Sequence, residues 1–295
     1  MNMKRTAPFF AALFVGSLLA GAAIDNSALM PPYKPDAEVV MEKDAEGGET
    51  PDWIKSLIIV ELRIHSASTD GTVKGLLPAL DHLAEMGVNG VWLTPPINGG
   101  NGYGNFGIHT LSPLLTGEKN PVKQWQVLSN FVDEAHKRNI RVFFDVVNWG
   151  ATKHEGGSRL LKEKPEWFGE YFAPYAGWFF NWENRELNEW FSSRLVEWFL
   201  MTGVDGFRCD CAPNYSGFGP FETAKKRMRS FGRKVVFMAE WTSSGKNVFD
   251  LDQLTFCFTD AKGKRRTHWV GDVYLKKNIV DMVRSGEELR AWDDM

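Results

Sequence analysis

The chain has 295 residues, 43% hydrophobic and 24% charged, with 34 Lys+Arg against 37 Asp+Glu and a formal net charge of −3. This is a globular composition, long enough to bury a sizeable core. The near-neutral balance excludes the clustered basic footprint of a nucleic-acid binder. The aromatic content, 12 Trp, 6 Tyr and 21 Phe, is high for a purely structural chain.

Lys4 and Arg5 precede an apolar stretch from Ala7 to Ala20 and then small residues, Ala20-Gly21-Ala22-Ala23, that suit signal-peptidase cleavage. The run is shorter than the ~18–20 residues a spanning helix needs, so residues 1–23 are expected to be an export signal. The mature protein is then periplasmic or extracellular, with no stable membrane insertion. Residues 24–52, with Pro31-Pro32, Pro35 and Gly47-Gly48 among acidic side chains, are expected to be a flexible linker. The folded part is expected over 53–295. Three cysteines cannot all pair, and Cys209 and Cys211 are too close in sequence for an ordinary bridge, so no disulfide scaffold is expected.

From Leu57 onward, short β-branched or apolar runs alternate with amphipathic ones, the pattern of βα units and a parallel sheet. Strands are expected at 57–62, 90–94, 142–147, 204–208, 235–239 and 255–258. Leu76, Leu80, Leu83 and Met86 mark one helix, with Gly87 placed to end it. Trp125, Leu128, Phe131, Val132 and Ala135 mark a second; Leu187, Trp190, Phe191, Leu195, Trp198 and Phe199 mark a third, before Gly203. A last helix is expected near Asn278 to Leu289. These aromatic stripes read as core. Between the third strand and the third of these helices lies a long excursion, residues 148–184, rich in aromatics without clean periodicity. It suits a small private core or a sugar-binding surface equally.

Gly102-Tyr103-Gly104-Asn105-Phe106-Gly107 has the spacing of a dinucleotide fingerprint but opens no helix, so nucleotide binding is not expected. The histidines and cysteines lack zinc-ligand spacing. Carboxylates stand at three strand ends, Asp145, Asp210 and Glu240, and strand ends of a parallel barrel converge on one mouth. Arg208 and Asp210 share a strand face; Cys209 and Cys211 are expected to point the other way, toward the helices. Arg208 is expected to keep Asp210 ionised, as a nucleophile requires, and less polar surroundings to keep Glu240 protonated, as a general acid requires. Such a pair cleaves glycosides with retention when the carboxyls stand about 5–5.5 Å apart.

These residues carry a resemblance to the alpha-amylase family, glycoside hydrolase family 13. Gly206-Phe207-Arg208-Cys209-Asp210 resembles its second signature region, which implies Asp210 as nucleophile supported by Arg208. Phe237-Met238-Ala239-Glu240-Trp241 is similar to the third, which implies Glu240 as acid/base and Trp241 beside the substrate. Phe144-Asp145-Val146-Val147 resembles the start of the first, which implies a substrate contact at Asp145 and a calcium ligand at Asn148. Leu93-Thr94-Pro95-Pro96 through Tyr103 resembles the segment whose Tyr stacks on sugar. The resemblance implies a (β/α)8 TIM-type barrel with 148–184 as an inserted B-like subdomain. It also implies an alpha-glucan substrate and no required cofactor beyond a structural calcium ion.

The first region departs from the family pattern at Asn148-Trp149-Gly150, and the fourth, an Asn-His-Asp on strand seven, does not occur. Residues 53–295 hold about six strand–helix units, so an incomplete barrel with two open edges, or material missing beyond Met295, is expected. Two readings follow: an exported retaining enzyme on alpha-glucans, or a non-catalytic or truncated member that binds carbohydrate or serves as a scaffold.

Overall fold

The structure, a computed structural model, describes residues 50–97, 110–153, 155–212, 218–240, 248–252, 255–259 and 265–269. The expected export signal, most of the linker, Tyr103, Trp241 and the helix near 278–289 lie outside the described residues. No helix among the described residues is long and apolar enough to cross a membrane.

In chain order the main elements begin with β1 (Ile59–Leu62), α1 (Leu77–Glu85), β2 (Gly90–Leu93), α2 (Pro121–Lys137) and β3 (Arg141–Val147). An insertion follows, with β4 (Gly150–Thr152), α3 (Glu155–Glu163), β5 (Phe168–Phe172) and β6 (Gly177–Phe180). Then come α4 (Arg185–Thr202), β7 (Gly206–Asp210), α5 (Phe218–Ser230), β8 (Val236–Ala239), β9 (Leu251–Asp252), β10 (Thr255–Thr259) and β11 (Arg265–Trp269). Six strands form one sheet in the order β1-β2-β3-β7-β8-β9, and every neighbouring pair is parallel. Sequential parallel order with helical crossovers is the winding of a (β/α) barrel. Among the described residues β1 and β9 are its edges.

The helices form where sequence chemistry starts and stops them. Asn120 caps α2 by accepting the Lys123 N–H, with Pro121 in the first turn; Asn184 does the same for α4 through Leu187 N–H. Gly203 closes α4 at φ +70°, a left-handed conformation that costs glycine little. The aromatic stripes face inward as expected: Trp198 meets Trp125 at 5.1 Å and Phe144 at 5.4 Å, edge to face, whereas Met86, expected in the stripe of α1, falls past its last turn and is 64% exposed. On the other face of the sheet Trp92, Phe143, Val236 and Met238 pack with Trp53, Ile54 and Leu57. Burial on both faces explains why these strands lack polar alternation.

One expected strand is misplaced. Residues 255–258 do not extend the parallel sheet; β10 pairs antiparallel with β11, and the sixth strand of the sheet is the two-residue β9. An apolar, β-branched run marks a strand without naming its partner, and pairing is settled by what lies beside it. Residues 148–184 contain a three-stranded antiparallel sheet, β4-β6-β5, as well as α3.

Candidate active site

The site is assembled by strand register. Asp145 on β3 stands opposite Arg208 on β7, and Cys209 on β7 opposite Ala239 on β8. The Glu240 N–H continues that pairing to the Cys209 carbonyl at 3.2 Å. Three strands thus deliver Asp145, Arg208, Asp210 and Glu240 to one end of the sheet.

Arg208 joins them. Its Nη1 donates to both Asp145 oxygens at 3.1 and 3.2 Å and to Asp210 Oδ1 at 2.7 Å, and Nη2 lies 3.1 Å from Glu240 Oε1. Glu240 Oε2 accepts the Cys211 N–H at 2.7 Å. Asp145 is buried behind the guanidinium, whereas Asp210 and Glu240 are partly open. Asp210, Cys211 and Glu240 each offer an atom within 4.8 Å of the others, so the Asp210 and Glu240 carboxyls are in close range.

The electrostatics depart from expectation. Burial is the largest influence on Asp210 and outweighs the pull of Arg208; the Glu240 charge adds to it, and the carboxyl is pushed up to about 6. One guanidinium among three carboxylates does not cancel their charge. Nor is Glu240 in less polar surroundings, since one oxygen faces Arg208 and the other a backbone N–H.

Cys209 is buried in the helix-side core as expected, but Cys211 is not. The chain leaves β7 at Asp210 and enters a left-handed turn at Cys211, φ +56°, which ends the alternation of the strand. The Cys211 thiol therefore turns to the site, 3.8 Å from Asp210 Oδ2 and 3.9 Å from the Tyr175 hydroxyl.

Tyr175 has no counterpart in the sequence-based site. It lies between β5 and β6, its ring 4.9 Å from both Trp149 and Phe172. Burial, then Cys211, Asp210 and Glu240, push its hydroxyl up to about 12, so it stays a proton donor. Its only sequence signal is membership of the aromatic excursion. The aromatics there form a small private core, with Phe172, Phe179 and Trp149 packed on one another, and Tyr175 extends it to the Cys211 thiol.

Asn148 is fully buried just past β3. The one gathered set of His, Cys, Asp or Glu ligands among the described residues is Asp210, Cys211 and Glu240. That set includes a sulfur, unlike the six to eight oxygens that calcium takes. These donors do not fit calcium, and no step is drawn through it.

Comparison with known proteins finds a likeness over about half of the chain. The family model described as Alpha amylase, catalytic domain, matches residues 43–179, a span that includes Asp145 and stops short of Asp210 and Glu240. An alpha-glucosidase of Candida albicans is 24% identical over 196 residues, 52% of this chain and 34% of that protein. An oligo-1,6-glucosidase of Parageobacillus thermoglucosidasius is 26% identical over 160 residues, covering 51% of this chain and 27% of that protein. The chain thus spans about a third of the length of the curated relatives it matches. The maltogenic alpha-amylase AmyB of Thermotoga neapolitana superposes with a TM-score of 0.56 at 26% identity, over 68% of this chain and 49% of that one. The alpha-amylase of Geobacillus thermoleovorans, at 21% identity and a TM-score of 0.53 over 64% of this chain and 47% of its own, shares the fold. Over its matched segment and in its parallel sheet, the chain is similar to the catalytic domain of the alpha-amylase family.

Proposed function

We propose that the protein acts on alpha-glucans as a retaining glycoside hydrolase or transglycosidase. The observation that carries this reading is the Arg208 fork, which draws Asp145, Asp210 and Glu240 together with the Asp210 and Glu240 oxygens within 4.8 Å. That range is shorter than the roughly 6.5–9.5 Å that leaves room for water in inverting enzymes.

Arg208 holds Asp210 Oδ1, so Oδ2 is the oxygen that attacks the anomeric carbon. The glycosidic C–O bond breaks as the Glu240 proton passes to the leaving oxygen. Glu240 then takes a proton from water or an acceptor hydroxyl, whose oxygen displaces Asp210 from the sugar. Asp145 is a positioning residue that keeps Arg208 in place. The substrate class is supported by the glucosidases and amylases among the relatives. Sugar contacts by Tyr103 and Trp241, and export through residues 1–23, belong to the same proposal and rest on the sequence pattern alone.

The test is turnover of maltooligosaccharides and starch by the full chain beside Asp210→Asn and Glu240→Gln. The expected result is a loss of at least 10³-fold in both variants, as for removal of a nucleophile or a proton-transfer group. If the unmodified chain is as slow as Asp210→Asn, this reading fails; calorimetric binding without turnover would then mark the non-catalytic carbohydrate binder.

A further inference from the structure

We infer a second carbohydrate-binding site, in the pocket between the N-terminal ends of α4 and α5. This rests on the alpha-glucan reading above and extends it. The pocket has a volume of about 640 Å³ and is lined by Trp182, Glu183, Asn188, Phe218, Gly219 and Thr223, among others. That volume lies inside the roughly 300–1,000 Å³ typical of small-ligand sites.

The lining chemistry selects the ligand. Phe218 is 42% exposed at the first residue of α5, touching Phe249 edge to face at 6.2 Å, so much of its ring is open. Trp182 is half-buried, braced by Phe180 at 5.3 Å and Phe191 at 5.1 Å. Two braced aromatic rings offer surfaces for the C–H faces of pyranose rings. Around them stand hydrogen-bonding groups fixed in place. Asn188 donates both amide hydrogens to the Trp182 and Asn184 carbonyls at 2.7 Å, which leaves its oxygen beside Gly219 as an acceptor.

Charge excludes the other classes. Glu189 is tied to Arg227 at 2.8 Å, and Glu183 and Arg185 offset one another, so the pocket holds no excess positive charge for a phosphate. Its polar rim does not suit a lipid. A neutral ligand rich in hydroxyls and carrying apolar ring faces is what remains.

Position gives the site a use. α4 leads into the start of β7 and α5 follows its end, so both helices begin at the end of the sheet that carries Asp210 and Glu240. A glucan bound in the pocket is therefore held on the catalytic side, and a long chain gains a second point of attachment.

The experiment compares the full chain with Phe218→Ser and with Glu183→Ala, both at exposed positions outside the catalytic machinery. Starch affinity is read by retardation in starch-containing gels, and the carboxylate site by hydrolysis of p-nitrophenyl maltoside. The expected result is a starch dissociation constant weakened by about 2- to 10-fold in each variant, the worth of one stacking contact in Phe218→Ser and of one hydrogen bond in Glu183→Ala, with the maltoside rate unchanged. Unchanged starch affinity in both variants, with turnover intact, overturns the second site alone. An unmodified chain that neither binds starch nor cleaves the maltoside overturns the alpha-glucan reading as well.

Discussion

At Arg208 a single buried guanidinium meets three carboxylates, and the protonation of Asp210 follows from that imbalance. With burial and the Glu240 charge pushing its carboxyl up to about 6, the ionised form that the proposed nucleophile needs is lost as pH falls through that value. The acid limb of kcat/KM is expected near pH 6. Removing the Glu240 charge should lower the Asp210 value, so in Glu240→Gln the carboxyl resonance of Asp210 in 13C NMR should titrate below that of the unmodified protein. An unchanged or higher value would show that Glu240 does not act on it. The identities Arg208, Asp210 and Glu240 were legible from strand-end spacing, but the direction of the Asp210 shift was not. Neighbours one strand away can be counted in a sequence; solvent exclusion cannot.

At the scale of the element, β7 depends on close approach as much as on its carboxylate. A Cβ on Gly206 would run into the Phe143 ring on β3 and meet the Val236 carbonyl at 2.7 Å. Gly206→Ala should therefore force β3, β7 and β8 apart and destabilise the fold by about 1–3 kcal/mol, measured by urea denaturation. A change below a few tenths would mean that the Phe143 ring swings aside at no cost. The 3.6-residue stripes of α1, α2 and α4 were legible because each helix buries one face against the sheet. The partner of residues 255–258 was not, and neither was the antiparallel sheet of the insertion. Both depend on pairing between segments whose local patterns admit several partners.

Across the whole molecule the end of the sheet opposite the carboxylates is tied by Asp205. Its side chain is fully buried and meets His136 at 2.7 Å on α2, Arg141 at 3.2 Å on β3, Arg233 at 2.7 Å beyond α5, and the Val142 N–H at 2.9 Å. Burial alone would raise this carboxyl; His136, Arg233 and Arg141 together hold it below the usual carboxylate range. Because the folded value lies below the unfolded one, its contribution is complete above the ordinary carboxylate range. It is lost as pH falls toward the depressed folded value. Asp205→Ala should cost about 3–5 kcal/mol at neutral pH, since it strands the cations it neutralised. It should also flatten the acid side of a stability–pH profile taken by chemical denaturation. A variant as stable as the parent at pH 7 would show that the cations find other partners.

The sequence by itself carried the resemblance to the alpha-amylase family, the alternation of strands and helices, and the residues that bear charge at the strand ends. These are properties of local pattern, written in side-chain period and motif spacing. Tertiary structure decided what surrounds those residues: that Arg208 is shared among three carboxylates, that Cys211 turns into the site on a left-handed bend, and that Tyr175 reaches the Cys211 thiol beside them from the insertion. Burial and contact join residues distant in the chain, and no local pattern records which of them come to rest side by side.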